Sequence, residues 1–159
     1  MGDINAVAAI EARVSPDPWS AKLFAGELDV HQASRHWLVA EDSEAQIVGF
    51  GGTMFVAGEA HVMNIAVSPD HARKGIARRL LARLITEAIE RGSEALTLEV
   101  RVSNEPAIAL YRQFKLAPVG ARPRYYPDGE NALILRAIDI DQPLYAEVLA
   151  RGFLELGSQ

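Results

Sequence analysis

The feature that most constrains the fold is a long amphipathic helix between two strand-like runs. Apolar residues recur at helical spacing over residues 75–91, and arginines and glutamates occupy the other side of this segment. The run EAHVMNIAV precedes the helix and ALTLEV follows it, and both runs are rich in residues that favour strands. A strand, a helix and a strand in succession predict a right-handed crossover that joins two parallel strands.

The rest of the sequence predicts further strands and short helices around this unit. The runs HWLVAE, QIVGFGGTMFVAG and EAHVMNIAV are separated by turn-forming groups, which indicates an antiparallel meander. Gly51 and Gly52 within the second run predict a bulge or a close backbone approach. Helices are predicted over residues 4–14 and 20–28, and a helix opened by Asn104 precedes two strands over residues 116–125 and 131–138.

Length and composition indicate one soluble globular domain. The chain has 159 residues, of which 49% are apolar and 23% charged. The predicted fold class is α+β, a mixed and largely antiparallel sheet with one parallel pair of strands and flanking helices. We expect residues 1–138 to form this domain. Residues 139–159 are predicted to form an amphipathic helical extension, packed on the domain of a monomer or at the interface of a homodimer.

Several classes of function are disfavoured by the residues that the chain lacks. There is no cysteine, which removes disulfides, thiolate metal sites and an acylated thiol. The four histidines have no tight ligand spacing, so we predict no metal site. A net charge of −5 argues against direct nucleic-acid binding. With no apolar run of membrane length and an acidic start, we expect a cytoplasmic protein without membrane contact.

Basic residues gather where the long helix begins, in the stretch SPDHARKGIARRL. The amides of a helix N-terminus favour phosphate, and Gly75 would let the backbone come close to a ligand. A solvated basic face explains the stretch equally well. A nucleotide triphosphate loop is disfavoured, because no Lys-Ser or Lys-Thr follows the glycine. A dinucleotide fold is disfavoured as well, because its glycine motif follows the first strand of an alternating sheet.

Glu99 and Tyr111 are the candidate chemical residues of the second half. Glu99 alternates with the apolar Leu96 and Leu98 on a predicted strand, where glutamate is uncommon. We expect partial burial to raise its pKa toward the range of a general base, although pairing with an arginine on a wet face is an equal alternative. Tyr111 lies two helical turns after Asn104, and its spacing alone favours a packing role.

The order of elements and three motifs resemble the GNAT superfamily of acetyl-CoA-dependent N-acetyltransferases. The family loop reads Gln or Arg, two residues, Gly, one residue, then Gly or Ala, and Ala72 departs from it whereas Gly75 and Ala77 match. The segments MNIAVSPD, LEVRVSNEPAIALY and RPRYYPDGENALIL look like the RimI-type enzymes, which acetylate the N-terminal alanine of a small-subunit ribosomal protein. The family usually begins with a strand before its first helix, and this sequence offers little room for one.

The resemblance implies a GNAT-like domain with acetyl-CoA as cosubstrate and a protein N-terminus, from a ribosomal protein, as partner. It implies Glu99 as general base and Tyr111 as general acid for direct attack of the amine on the thioester. The cofactor-binding residues that it implies are Ile65, Ala66, Val67, Arg73, Lys74, Gly75, Ile76, Ala77 and Asn104. The substrate-binding residues that it implies are Asn64, Arg124, Tyr125 and Tyr126.

Alternatives to these implied roles stay open at this point. The acceptor could be a lysine side chain or a small-molecule amine, and the chain could also be a non-catalytic module that binds acetyl-CoA. Asn64 could serve only as hydrogen-bonded structure. Tyr125 and Tyr126 could form an aromatic strand edge.

Overall fold

A computed structural model of the protein describes residues 2–154. The helices are α1 (Gly2–Val14), α2 (Ala21–Asp29), α3 (Ile76–Glu90), α4 (Glu105–Gln113) and α5 (Pro143–Leu154). The strands are β1 (Arg35–Glu41), β2 (Ile47–Val56), β3 (Glu59–Val67), β4 (Ala95–Arg101), β5 (Ala117–Arg122) and β6 (Ala132–Ile138). Within residues 2–154, none of the helices has the length and apolar content needed to cross a membrane.

The six strands form one sheet in the order β1-β2-β3-β4-β6-β5. Strands β1, β2 and β3 make the predicted antiparallel meander, and β6 pairs antiparallel with both β4 and β5. Helix α3 connects β3 to β4, which pair in parallel. The predicted α+β class, with one parallel pair in a largely antiparallel sheet, is confirmed.

The helix boundaries follow from local capping. Ser20 accepts a hydrogen bond from the backbone N–H of Leu23 at 3.1 Å, and Asn104 accepts one from Ala107 at 3.2 Å. Gly75 begins α3 in the left-handed region, with φ of 76°. This conformation costs a glycine little, so the chain turns sharply from the preceding loop into the helix.

The sheet is covered by helices on both faces. The larger core, on one face, joins β3, β4 and β6 to α3, α4 and α5 through side chains such as Leu81, Leu96 and Phe114. The smaller core, on the other face, packs α1 and α2 against Phe50 of β2 and Ala66 of β3. Among residues 2–154, the buried side chains of this smaller core come from α1, α2, β2 and β3 and none from β4, β5 or β6.

A bulge in β3 changes which face its side chains occupy. Gly52 pairs with Asn64 and Thr53 pairs with Val62, so Met63 is an extra residue on β3. Val62 packs in the larger core before the bulge, whereas Ala66 packs in the smaller core after it. The glycines of β2 predicted a bulge or a close approach. The close approach is made by Gly52, which lies beneath the Trp37 indole, and the extra residue belongs to the neighbouring strand.

Strand β5 is shorter than the sequence pattern predicts. It ends at Arg122 rather than near residue 125, because Pro123 has no N–H to donate to a ladder and Arg124 adopts φ of 51°. The backbone N–H of Arg124 instead donates to the Asn131 side chain at 2.9 Å. Tyr125 and Tyr126 therefore lie in a loop, and the alternative of an aromatic strand edge is wrong.

Helix α5 packs against the rest of the chain through one of its faces. The Tyr145 hydroxyl is buried and donates to the backbone carbonyl of Phe114. Gly152 lies so close to the Phe114 ring that a Cβ atom there would overlap it. Leu144, by contrast, is 81% exposed. The division of the chain into a domain of residues 1–138 and an extension of residues 139–159 stays a prediction, and residues 155–159 lie outside the described residues.

We predict opposite effects on stability for alanine at two glycines. Alanine at Gly52 would push a Cβ atom into the Trp37 ring, and overpacking of this kind costs about 1–3 kcal/mol. Alanine at Gly26, inside α2 with open space around it, should stabilise by about 0.5–1 kcal/mol through helix propensity. Urea denaturation of the two variants checks both signs. Equal stability of Gly52→Ala and the unsubstituted protein would contradict the close approach.

Candidate active site

The parallel strands β3 and β4 separate after only three residue pairs. Glu59, Ala60 and His61 pair with Ala95, Leu96 and Thr97, and the two strands then diverge. A cavity of about 510 Å³ lies where they diverge. The predicted site residues that line this cavity are Asn64, Ile65, Ala66, Val67, Glu99, Asn104, Tyr111 and Tyr126. Arg124 and Tyr125 lie outside this lining.

Glu99 is held from two sides at the edge of the cavity. The Nε2 atom of His61 lies 2.6 Å from Oε2 of Glu99, and the Nε of Arg122 donates to Oε1 at 3.2 Å. The Glu99 side chain is 9% exposed. The hydrogen bond from His61 lowers the pKa of Glu99 despite the opposing effect of burial. The expectation that burial raises this pKa is therefore wrong, because the sequence pattern did not show these partners.

Tyr111 lines the cavity from α4, on the opposite side of the sheet from Glu99. Its side chain packs in the larger core beside Ile108 and Phe114, as its spacing predicts. Burial raises the pKa of the Tyr111 hydroxyl, which therefore keeps its proton at neutral pH. Asn104 caps the same helix and also lines the cavity. A packed tyrosine can thus present a proton donor to the space between the strands.

Asn64 connects the cavity to a buried carboxylate that the sequence analysis missed. Glu11 of α1 is 3% exposed, lines the cavity and shares a side-chain hydrogen bond with Asn64. Its Oε1 also accepts the backbone N–H of Trp19 at 3.3 Å. Burial raises the pKa of Glu11. A signal was present, because Glu11 follows Ile4 and Val7 on the apolar side of the first helix.

A second missed cluster surrounds Arg101 at the end of β4. Its guanidinium contacts Asp17 at 2.6 Å, Asp128 at 2.8 Å and Glu130 at 3.0 Å. These carboxylates belong to the segment between α1 and α2 and to the loop between β5 and β6. The guanidinium also lies 4.0 Å from the centre of the Tyr126 ring. Burial raises the pKa of Tyr126 to about 12. Arg101 thereby fixes both loops beside the cavity.

The basic helix start borders a separate groove of about 430 Å³. This groove is lined by Ala72, Arg73, Gly75, Ile76 and Ala77, together with residues of α4 and Val67. Val67 also lines the cavity, so the groove and the cavity meet at this residue. Lys74 lines a different groove, near Asp42 on the far side of the helix start.

Comparison with known proteins identifies the family of this chain. The sequence model of the acetyltransferase (GNAT) family matches residues 4–115. The chain is 39% identical to the [ribosomal protein bS18]-alanine N-acetyltransferase of Escherichia coli (strain K12) over 140 residues, which cover 87% of this chain and 92% of that protein. The protein of the same name from Haemophilus ducreyi is 34% identical over 137 residues, which cover 84% of this chain and 92% of that protein.

A solved structure agrees with these sequence relatives. The crystal structure of the ribosomal-protein-S18-alanine N-acetyltransferase from Escherichia coli superposes with a TM-score of 0.78 at 37% identity. The match covers 87% of this chain and 89% of that chain. Sequence and fold thus agree, and the chain belongs to the GNAT family of acetyltransferases.

Proposed function

We propose that this chain transfers the acetyl group of acetyl-CoA to the N-terminal α-amine of a protein, with the N-terminal alanine of a small-subunit ribosomal protein as acceptor. The observation that carries the proposal is the cavity between β3 and β4, which places Glu99 and Tyr111 at one gap in the sheet. The relatives of known name support the choice of acceptor. Ribosomal proteins are made in the cytoplasm, where we propose that the enzyme works.

The groove at the helix start fits the pyrophosphate of coenzyme A. The first amides of α3 have no partner within the helix, and the helix dipole favours negative charge at this end. Gly75 brings these amides to the surface of the groove with its left-handed backbone. The amides do not depend on the side chain at position 72, so Ala72 is compatible with binding. The backbone of residues 65–67, beside the unpaired edge of β3, would hold the pantetheine arm.

The cavity supplies groups for direct attack of the amine on the thioester. Glu99 accepts a proton from the incoming ammonium. A free α-amine has a pKa of ~8, so its neutral, nucleophilic form is accessible close to neutral pH. The amine nitrogen then forms the amide bond as the carbon–sulfur bond breaks, and Tyr111 donates a proton to the departing thiolate. The second proton that the nitrogen loses restores the Tyr111 hydroxyl. One proton per turnover is released to water, because an ammonium enters and an amide leaves.

The charges around the cavity favour a cationic acceptor. Glu11, Asp17 and Glu99 all line it, and Arg101 is the cation among its lining residues. An excess of carboxylates raises the local concentration of an ammonium group through Coulomb attraction. We propose that Asn64 and Tyr126 contact the acceptor peptide within the cavity, with Arg124 and the exposed Tyr125 beside its mouth.

Loss of the proposed base or acid should slow transfer with little effect on folding. We predict that Glu99→Gln and Tyr111→Phe each lower kcat by about 10²-fold or more, as for loss of a general base or acid. Release of coenzyme A from acetyl-CoA and an alanine-led peptide measures the rate. Glu90→Gln, at an exposed position late in α3, is the matched control and should keep its rate. An unchanged rate in Glu99→Gln would remove Glu99 from the role.

The acceptor class is tested with one set of peptides. We expect transfer to the alanine-led ribosomal sequence. We expect no transfer to the same sequence with a blocked N-terminus and an internal lysine, or to small-molecule amines. Mass spectrometry of the products locates the acetyl group. Acetylation of lysine in the blocked peptide would contradict the proposed acceptor while leaving acetyl transfer itself intact.

Coenzyme A binding should depend more on the backbone at Gly75 than on the charge at Lys74. A side chain in the left-handed region costs about 1–2 kcal/mol, and valine would also obstruct the groove. We predict that Gly75→Val weakens coenzyme A binding by about tenfold or more. Lys74→Ala should change it by less than about threefold, since one screened charge is lost at a surface. Calorimetric titration gives both affinities, and a reversed order would contradict the assignment.

A further inference from the structure

The pairing of β3 with β4 fixes the position of His61 relative to Glu99, the proposed base. His61 forms the last pair between β3 and β4, opposite Thr97, and the bulge residue Met63 lies two residues further along β3. Glu99 lies two residues beyond Thr97 on the same face of β4, because side chains alternate along a strand. The 2.6 Å separation between Nε2 of His61 and Oε2 of Glu99 is short for a hydrogen bond that involves nitrogen.

We propose that His61 is a positioning residue that orients the Glu99 carboxylate for its role as the general base. His61 donates its Nε2–H to one carboxylate oxygen and turns the carboxylate toward the cavity. This inference rests on the proposed function, since it presupposes that Glu99 takes a proton from the acceptor.

The exposures of the two side chains support this division of roles. The Glu99 side chain is 9% exposed, whereas that of His61 is 33% exposed. His61 thus contacts the carboxylate from outside the cavity lining, of which Glu99 is a part. The hydrogen bond from His61 is also the largest influence that lowers the pKa of Glu99.

Other charged and titratable side chains lie close to the pair formed by His61 and Glu99. Arg122 of β5 donates to the second oxygen of Glu99, and the Tyr126 hydroxyl lies within electrostatic range of the carboxylate. Arg35 of β1 and Arg136 of β6 lie in the same cross-strand row as His61. Their side chains therefore extend from the same face of the sheet as that of His61. Arg35 is paired with Glu27 at 2.6 Å and Arg136 with Glu59 at 2.8 Å.

These neighbours do not replace His61 as the partner of Oε2 of Glu99. Arg122 holds the other carboxylate oxygen, and Arg35 and Arg136 are held by carboxylates of their own. Burial keeps the Tyr126 hydroxyl protonated. The proton that Glu99 accepts from the ammonium forms an O–H bond and later passes to water.

Kinetics of matched variants separate positioning from simple structural support. We measure kcat and KM for the alanine-led peptide in the unsubstituted enzyme and in His61→Gln, which keeps an N–H donor at this position. His36→Gln, on β1 beside Glu87, is the control and should keep the rate of the unsubstituted enzyme.

The positioning role is tested by comparison with alanine at the same site. His61→Ala removes the donor, and we expect its kcat at pH 8 to fall about tenfold below that of His61→Gln, as for loss of a hydrogen bond to a charged group. The KM for acetyl-CoA should change little. Equal values of kcat in the two variants at pH 8 would overturn the positioning role.

A titration by NMR gives a readout that does not need turnover. The ¹³C signal of the Glu99 carboxyl, assigned through its absence in Glu99→Gln, should titrate at higher pH in His61→Gln than in the unsubstituted protein. A Glu99 carboxyl that titrates at the same pH in both proteins overturns the role of His61. An enzyme that acetylates none of the peptides would instead overturn the proposed function, and with it any catalytic role for the pair.

Discussion

The short parallel pairing between β3 and β4 is the constraint on which the site depends. Three pairs hold the strands together, and after His61 and Thr97 the sheet opens. The bulge at Met63 turns Asn64 and Ala66 of β3 toward α1 and leaves the edge of this strand facing the gap. A continuous ladder would satisfy these backbone groups and close the cavity. The site thus exists because the crossover helix joins two strands that do not stay paired.

The electrostatics of the site divide between its two ends. The helix start presents backbone amides and basic side chains to a groove that suits a phosphate group. The cavity that meets this groove at Val67 carries an excess of carboxylates, which suits an ammonium group. An anionic cosubstrate and a cationic acceptor would therefore each be favoured at a different end. The net charge of −5 for the whole chain does not show this separation of basic and acidic regions.

Local sequence patterns predicted the elements well, but they could not give contacts between strands. Periodicity was sufficient for α3 and β4, and capping residues located α4, because both signals are local in the chain. The partner of Glu99 depends on the register between β3 and β4, which are joined through a long helix, so neither His61 nor the lowered pKa of Glu99 could be foreseen. Two omissions were avoidable, because Pro123 signals the end of β5 and Glu11 occupies an apolar helix position.

The most direct measurement of the central claim is mass spectrometry of protein N-termini from cells that contain or lack this protein. The account predicts that the N-terminal alanine of one small-subunit ribosomal protein loses its acetyl group when the protein is absent. The unsubstituted protein should restore the acetyl group, and Glu99→Gln should not. Unchanged acetylation of that alanine in its absence, or full restoration by Glu99→Gln, would contradict the account.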